Sequence, residues 1–487
     1  MAAHVKVCEM GASYGVGTFA TRPLRAGDVL LEELPVAFTL SLSSRLDSRF
    51  CMGCGTRLAT LQEECERLAR LAQGVVQQQQ QQPSDGDNNN NDDNLEAVKN
   101  GGGVQYAETL RSPRALYESL KEFGASSFFS RGVAMDDDDD GDDEVQPLGA
   151  ESEARVRFCC AKCRAHCLHE RGGKFLLSMP PIARKTVAAQ TVHSLREPSA
   201  ETIMRCAVAL DTKAMEEAWP SKAHTLATLE YLANIYNERL RLILALLSRC
   251  LSETTSGADL LPLKDLQDRF RETVQAMVVR YAEGAPRTLT EQQRAFLRFS
   301  WKCVCRWLGL CCAGANSETT ATDPFAWLSL QLYLRCYWLA DANVHMFVVV
   351  SPLYSLLCQK LPVLCAICRR SEGEGEGAQS ALRLRRQMCV LRELFRLVDP
   401  CAAHATGVAL YDAATKINHS CVPCARFVPT HGRVRAVVVA LRDIASGEEI
   451  RSSYVDLSAY ASKVERQDYL LTHYGFSCDC PLCCVDE

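Results

Sequence analysis

Three cysteines crowd the C-terminal region as Cys478-Asp-Cys480-Pro-Leu-Cys483. Thiolates this close in sequence can face one ion, and tetrahedral zinc takes four ligands, so a fourth must come from elsewhere. Cys421 and Cys424, in Lys416-Ile-Asn418-His419-Ser420-Cys421-Val-Pro-Cys424, are the obvious donors. The same segment sets an amide, an imidazole and a hydroxyl beside a thiol. A thiolate activated by an imidazole is a common nucleophile, but neighbours along a chain rarely point at each other, so His419 taken alone reads as a structural histidine. Two further segments suit close contact with a ligand. The glycines of Ser13-Tyr14-Gly15-Val16-Gly17 allow backbone approach, and Gly447-Glu448-Glu449-Ile450-Arg451-Ser452-Ser453-Tyr454 is a turn, a strand and a terminal tyrosine.

These segments lie near opposite ends of a 487-residue chain, so the fold has to bring them together. From Val5 to Leu40, apolar runs alternate with turn signals at Gly11, Gly15, Gly17 and Ala26-Gly27-Asp28, which predicts two or three short strands. From about Lys174 to Asp399 helical periodicity takes over, with Leu226, Leu229, Leu232, Ile235, Leu240, Ile243 and Leu247 in register and a capping box at Thr290 and Gln293. Strand patterns return from Gly407. Ala425 to Val428, a Thr430-His431-Gly432 turn and Val434 to Leu441 read as a hairpin, and Asp443 to Tyr454 follows with a turn at Ser446-Gly447. The economical arrangement is an α+β fold whose two chain ends form one β domain, with the helices inserted into it.

Composition bounds the rest. Length allows about three domains and a large core. The 26 cysteines are about 5% of the chain, below the roughly 8–10% of a disulfide scaffold. The first ten residues do not read as a secretory leader, so reduced thiols, some on zinc, are expected, in the cytoplasm or nucleus. Net charge is −5, but Gln73 to Ala150 alone holds 16 acidic and 5 basic residues, with Gln, Asn, Gly and Asp runs that predict a disordered insertion. The remaining basic residues form no stripe, which argues against direct nucleic acid binding. The most membrane-like stretch, Asn343 to Ile367, carries Pro352, Lys360 and Pro362 and reads as two buried helices rather than a span. Cysteines such as Cys303, Cys305, Cys365 and Cys368 read as core packing.

Taken together, Tyr14-Gly15-Val16-Gly17, Asn418-His419-Ser420-Cys421, Gly447-Glu448-Glu449 with Tyr454, and the final cysteine cluster resemble the signature elements of SET-domain protein lysine methyltransferases. The cysteine-bearing insertion after the first strands is similar to the SET and MYND domain (SMYD) family, most of all its short, fifth-member branch without a C-terminal helical-repeat domain. The resemblance implies a SET N-terminal part over 1–49, a degenerate MYND-like module over 50–72 and 151–170, the low-complexity insertion over 73–150, a helical insertion over 171–400, the SET C-terminal core over 401–456 and a post-SET zinc segment over 457–487. It implies that S-adenosylmethionine lies against Gly15, Val16 and Gly17, held by Asn418 and His419 and covered by Phe476. It makes Tyr454 the tyrosine at the methyl-transfer centre and places Tyr454 and Tyr474 along the lysine channel. Cys421, Cys478, Cys480 and Cys483 would bind the post-SET zinc. Cys51 and Cys54 with Cys159 and Cys163 would bind a MYND-like zinc, with Cys160 a rival for Cys159 and only His166, Cys167 and His169 left for a second ion.

The expected activity is therefore methyl transfer from S-adenosylmethionine to a lysine of a histone or another protein. The expected partners are that protein substrate and proteins bound through the MYND-like module, with no membrane association and a monomeric chain. A SET-derived zinc scaffold without catalysis is the other reading. Two departures stand out: Cys424 replaces the asparagine usual after Pro423, and Arg451 stands where smaller or uncharged residues are common.

Overall fold

The apolar runs at the two ends of the chain pair with each other. The computed structural model describes residues 4–11, 15–41, 50–51, 53–81, 159–171, 222–235, 239–256, 262–281, 289–312, 324–355, 404–460 and 462–484, with single positions at 44, 114, 117, 118, 121, 175, 358, 392, 395 and 398. Four strands open the chain: β1 (Val5–Gly11), β2 (Gly15–Ala20), β3 (Val29–Glu33) and β4 (Ala37–Leu40). That is one or two more than the turn signals predict, because Pro35 ends β3 and starts a second extended run. Then come α1 (Leu61–Gln81), α2 (Ala161–Ala165), α3 (Lys222–Ile235), α4 (Arg239–Thr255), α5 (Leu263–Arg280), α6 (Glu291–Cys312) and α7 (Leu330–Asn343). The C-terminal part holds β5 (His345–Val350), β6 (Ala405–Leu410), β7 (Asn418–His419), β8 (Ala425–Phe427), β9 (Thr430–His431), β10 (Ala436–Ala440) and β11 (Arg451–Ser452). It ends in α8 (Lys463–Tyr474) and the short α9 (Pro481–Cys484).

The sheets mix the two ends. β3 pairs antiparallel with β10, which carries β8 on its other edge, and β4 pairs antiparallel with β6 in the order β4-β6-β5-β9. β7 and β11 run parallel, Arg451 opposite Asn418 and Ser452 opposite His419. One apolar core, with Leu30, Val438, Ala409 and Ile450 fully or nearly fully buried, fills the β part. A second, with Leu229, Leu247, Trp307 and Tyr333, fills the helical part. Thr290 and Gln293 make the expected reciprocal bonds at the start of α6, at 2.9 and 3.2 Å.

Four expectations need correction. The stretch after Asn343 is not two helices: His345–Val350 is a strand, because its three consecutive valines favour an extended backbone and find β6 on one side. Residues 352–355 are helical, and among the described residues no helix is long and apolar enough to cross a membrane. Thr430-His431 is more than a turn, since it pairs in parallel with Val349-Val350. Between Asp443 and Tyr454 only Arg451–Ser452 is a ladder strand, with 444 and 449 held by isolated bridges to Leu24 and Phe19. α1 continues to Gln81, so the glutamine-rich start of the low-complexity stretch is helical; the rest of that stretch, apart from residues 114, 117, 118 and 121, lies outside the described residues, as do Tyr14, Cys365 and Cys368.

Two carboxylates tie the parts together, one buried and one half-buried. Glu64 of α1 is wholly buried, takes two bonds from Arg67 at 3.2 Å and one from Ser351 at 3.0 Å, and pairs with Arg57. Glu33, at the end of β3, accepts the backbone N–H groups of Asp412, Ala413 and Ala414 at 2.7, 3.0 and 2.9 Å. It thereby caps the 3₁₀ turn Ala414–Lys416 that leads directly into Asn418 and His419. Removing this acceptor strands three backbone donors, and a buried donor without a partner costs about 1–3 kcal/mol. Glu33→Ala is therefore expected to destabilise the fold by about 2–4 kcal/mol in denaturant unfolding, while Glu32→Ala, on the exposed face of the same strand, should stay within about 1 kcal/mol of wild type.

Candidate active site and cysteine clusters

The glycine strand is fastened to the far end of the chain by backbone. Ala20 N–H donates to the Glu448 carbonyl at 3.0 Å, Gly447 N–H to Ala20 at 2.8 Å and Ile450 N–H to Thr18 at 2.7 Å. Thr18, fully buried, donates its hydroxyl to the Lys416 carbonyl at 2.9 Å. Asn418 closes the arrangement: its side-chain amide donates to the Val16 carbonyl at 3.1 Å and to Glu449 Oε1 at 2.8 Å. Glu449 in turn holds Arg451 Nε at 2.5 Å, so the unusual arginine is paired within the site.

The two glycines serve different ends. Gly15 takes a φ of +66°, and among the described residues nothing lies within 4 Å of where a Cβ would sit, which leaves its backbone open to close approach. At Gly17 a Cβ would collide with Met10 Sδ and lie 2.9 Å from Glu449 Oε1. Its smallness serves packing against Met10 and Glu449.

Tyr454 donates its hydroxyl to the Ile417 carbonyl at 2.8 Å, and its backbone N–H donates to His419 Nδ1 at 2.9 Å. Its ring centroid lies 5.3 Å from His419, 4.9 Å from Tyr474 and 6.3 Å from Phe476. The structure thus gathers all the predicted aromatic residues into one wall. Burial, with Tyr474 nearby, pushes the Tyr454 phenol well above its ordinary value, so it remains a proton donor. Burial and the charge of Arg451 push His419 down to about 4, so its ring is neutral at pH 7.

Two clusters of four thiols stand out. In each of the sets Cys421, Cys478, Cys480, Cys483 and Cys51, Cys54, Cys159, Cys163, the Sγ atoms all lie within 4.8 Å of one another. Four sulfurs at about 2.3 Å from one zinc stand about 3.8 Å apart, whereas a disulfide needs about 2.05 Å. Cys421 to Cys483 is 3.6 Å, Cys421 to Cys478 is 4.0 Å and Cys54 to Cys159 is 3.7 Å, so both sets fit a tetrahedral ion. Cys421 is the fourth donor of the C-terminal set. Cys424 points into the β core and accepts the Arg451 N–H at 3.3 Å, a contact that ties its turn to β11. Cys160 is exposed and outside the other set. Among the described residues, His166, Cys167 and His169 form no second group there; His166 bonds Glu170 instead, at 2.6 Å.

Local geometry explains why each cluster forms. Gly55 takes a φ of +72° after Cys54, and a Cβ there would strike Val434, while one on Gly53 would lie 2.5 Å from the Cys163 carbonyl. Cys54 is pulled down to about 4 chiefly by the Cys51 thiol. On the C-terminal side, α8 ends at Gly475 with φ +77°, turning the chain through Phe476 to Cys478. Gln467 clamps that turn, donating to the Cys478 carbonyl at 2.6 Å and accepting its N–H at 2.8 Å. Arg466, 5% exposed, lies within hydrogen-bond reach of Cys483 and Cys421 and offsets thiolate charge. Sequence reasoning missed Glu33, Gln467 and Arg466. The capping box Ser462-x-x-Glu465 was readable and would have located α8, which carries the last two.

The cluster assignments make a metal-content prediction. Elemental analysis of purified protein should find two zinc ions per chain, falling to one in Cys483→Ser and one in Cys163→Ser, while Cys424→Ser and Cys160→Ser keep both.

Comparison with known proteins agrees with this geometry. Histone-lysine N-methyltransferase set5 of Schizosaccharomyces pombe is 41% identical over 82 residues, 17% of this chain and 25% of that protein. N-lysine methyltransferase SMYD2-B of Danio rerio is 39% identical over 77 residues, 16% of this chain and 17% of the relative. Histone-lysine N-methyltransferase ATXR2 of Arabidopsis thaliana is 30% identical over 166 residues, 33% of this chain and 31% of the relative. The chain thus spans less than a third of the length of each of these curated relatives. The SET domain family, by contrast, matches from residue 15 to residue 455, taking in both the glycine strand and the tyrosine. With its two ends folded into one site and that match across it, the chain belongs to the SET domain family.

Proposed function

We propose that the chain is a protein-lysine N-methyltransferase that uses S-adenosylmethionine, of the short SMYD type, with one zinc in a post-SET site and one in a reduced MYND-like module. The observation that carries this reading is the buried Tyr454 hydroxyl aimed at the Ile417 carbonyl within an aromatic wall, beside the glycine strand that Asn418 holds. Gly15, Val16 and Gly17 would face the cofactor through backbone, with Asn418 and His419 at its ends and Phe476 over it. When bound, S-adenosylmethionine supplies a methyl group on a positively charged sulfur.

This chain's residues must then present a neutral lysine amine in line with that methyl. A free lysine has a pKa near 10.4, so deprotonating it at pH 7 costs about 4–5 kcal/mol. The rings of Tyr454 and Tyr474, 4.9 Å apart, would border the bound lysine with apolar surface that disfavours an ammonium, lowering that cost. The Tyr454 hydroxyl and the carbonyls near it orient the amine. Histone and non-histone lysines both suit this chemistry, as the names of the relatives illustrate.

Radiolabelled methyl transfer to cell extract tests the reading. Wild type should label protein, and Tyr454→Phe should lose about 10²-fold or more, as when a positioned donor is removed from an active site. Equal labelling by the two would rule out the assignment of Tyr454, and no labelling by wild type would favour the scaffold reading. The rate should rise from pH 7 to about 9.5 as substrate lysine deprotonates. Because burial raises the Tyr454 pKa, no falling limb from that phenol is expected in the same range.

A further inference from the structure

We propose that His419 is a positioning residue that joins the C-terminal cysteine cluster to the site tyrosine, donating its Nε2–H to Cys421 and accepting the Tyr454 backbone N–H at Nδ1. This rests on the metal and methyl-transfer readings above and adds a physical link between them.

The tautomer follows from the contacts. Nδ1 lies 2.9 Å from the Tyr454 amide nitrogen, which has a proton to give, so Nδ1 must carry the lone pair. A neutral ring then has its proton on Nε2, 3.3 Å from Cys421 Sγ. The residue is 6% exposed, so water cannot readily replace either partner. The ring is also flanked by Tyr454 at 5.3 Å and Phe476 at 5.9 Å. A four-thiolate cluster around a divalent ion carries net negative charge, and an N–H donor to one sulfur stabilises it from the site side, while Arg466 does so from α8.

Tyr454 lies just beyond β11, where ladder pairing has ended at Ser452. Its backbone is therefore held by the imidazole, and the imidazole is held by a cluster thiol. Loss of the metal frees Cys421, removes the fixed acceptor for Nε2 and loosens the tyrosine whose hydroxyl the site depends on. The same cluster acts by a second path, since Tyr474 and Phe476 lie four and two positions before Cys478.

Two substitutions separate the halves of the link. Asparagine places its amide near the position of Nδ1, and glutamine near that of Nε2. Cobalt(II) in the cluster gives a sulfur-to-metal charge-transfer band that responds to a hydrogen bond on Cys421, and amide hydrogen exchange read by mass spectrometry follows the Tyr454 N–H. Metal-loaded His419→Asn should shift the band while exchange at Tyr454 stays within about twofold of wild type. His419→Gln should keep the band and speed that exchange about tenfold, the effect of losing one buried hydrogen bond. Stripping metal from wild type should speed Tyr454 exchange as well. If both variants move both signals, or neither signal moves, the link is overturned. A wild type that holds no cobalt overturns the metal reading and the link with it. A wild type that passes these tests yet transfers no methyl group overturns only the catalytic reading.

Discussion

The site depends on one side-chain amide. Asn418 reaches the Val16 carbonyl from one end of the chain and Glu449 from the other, while its own backbone pairs with Arg451 in the β7–β11 ladder. Contacts between residues some four hundred positions apart carry a high loop-closure cost, which rises only slowly with loop length. Inserted helices and low-complexity sequence are therefore tolerated between the two halves, provided the closure is well made. Glu33, gripping three amides at residues 412–414, and Thr18, gripping the Lys416 carbonyl, fix the strand that carries Asn418. Each acts on backbone, so the closure depends on few side chains.

Packing transmits that closure to the aromatic wall. Val455 and Leu470 share a small core with the four C-terminal cysteines, and Tyr454, Tyr474 and Phe476 lie against it. An aromatic wall built on so small a core lacks the area to hold itself rigid by burial alone. The thiol cluster, the Gln467 clamp and the α8 cap supply the missing constraint. The cluster of Cys51, Cys54, Cys159 and Cys163 stands apart from this. It docks on the β domain through Val434 N–H to the Cys54 carbonyl at 3.2 Å and through Arg171, which donates to Gly53 and Pro35 at 2.9 and 3.2 Å.

Much of the site was legible before the fold was known, because its residues sit in compact motifs whose chemistry is local. Cys478, Cys480 and Cys483 advertise a metal by spacing, and the choice of Cys421 over Cys424 follows the family resemblance. The geometry supplies a physical reason: Cys424 is turned inward to bond β11. His419 taken alone reads as a structural histidine, and the resemblance puts it beside the cofactor; its ring contacts Tyr454 N–H and Cys421 Sγ, partners that the sequence did not indicate. What escaped notice were partners set by long-range approach. Glu33 is an ordinary strand glutamate in sequence, and Gln467 and Arg466 are ordinary helix-surface residues. The strand His345–Val350 was hidden by its helical surroundings, since a short apolar run has no period of its own. Gly17 was read for its backbone, and the structure adds a second reason for glycine there: a Cβ would collide with Met10 and crowd Glu449.

On the function proposed above, the two chain ends would make one cofactor site closed by Asn418. Isothermal titration calorimetry with S-adenosylmethionine tests it most directly, with no substrate required. Wild type is expected to bind one molecule per chain saturably, and Asn418→Ala to lose about tenfold or more in affinity, the cost expected when a half-buried amide with two partners is removed. Absence of binding by wild type at millimolar cofactor, or equal binding by the two proteins, would contradict it.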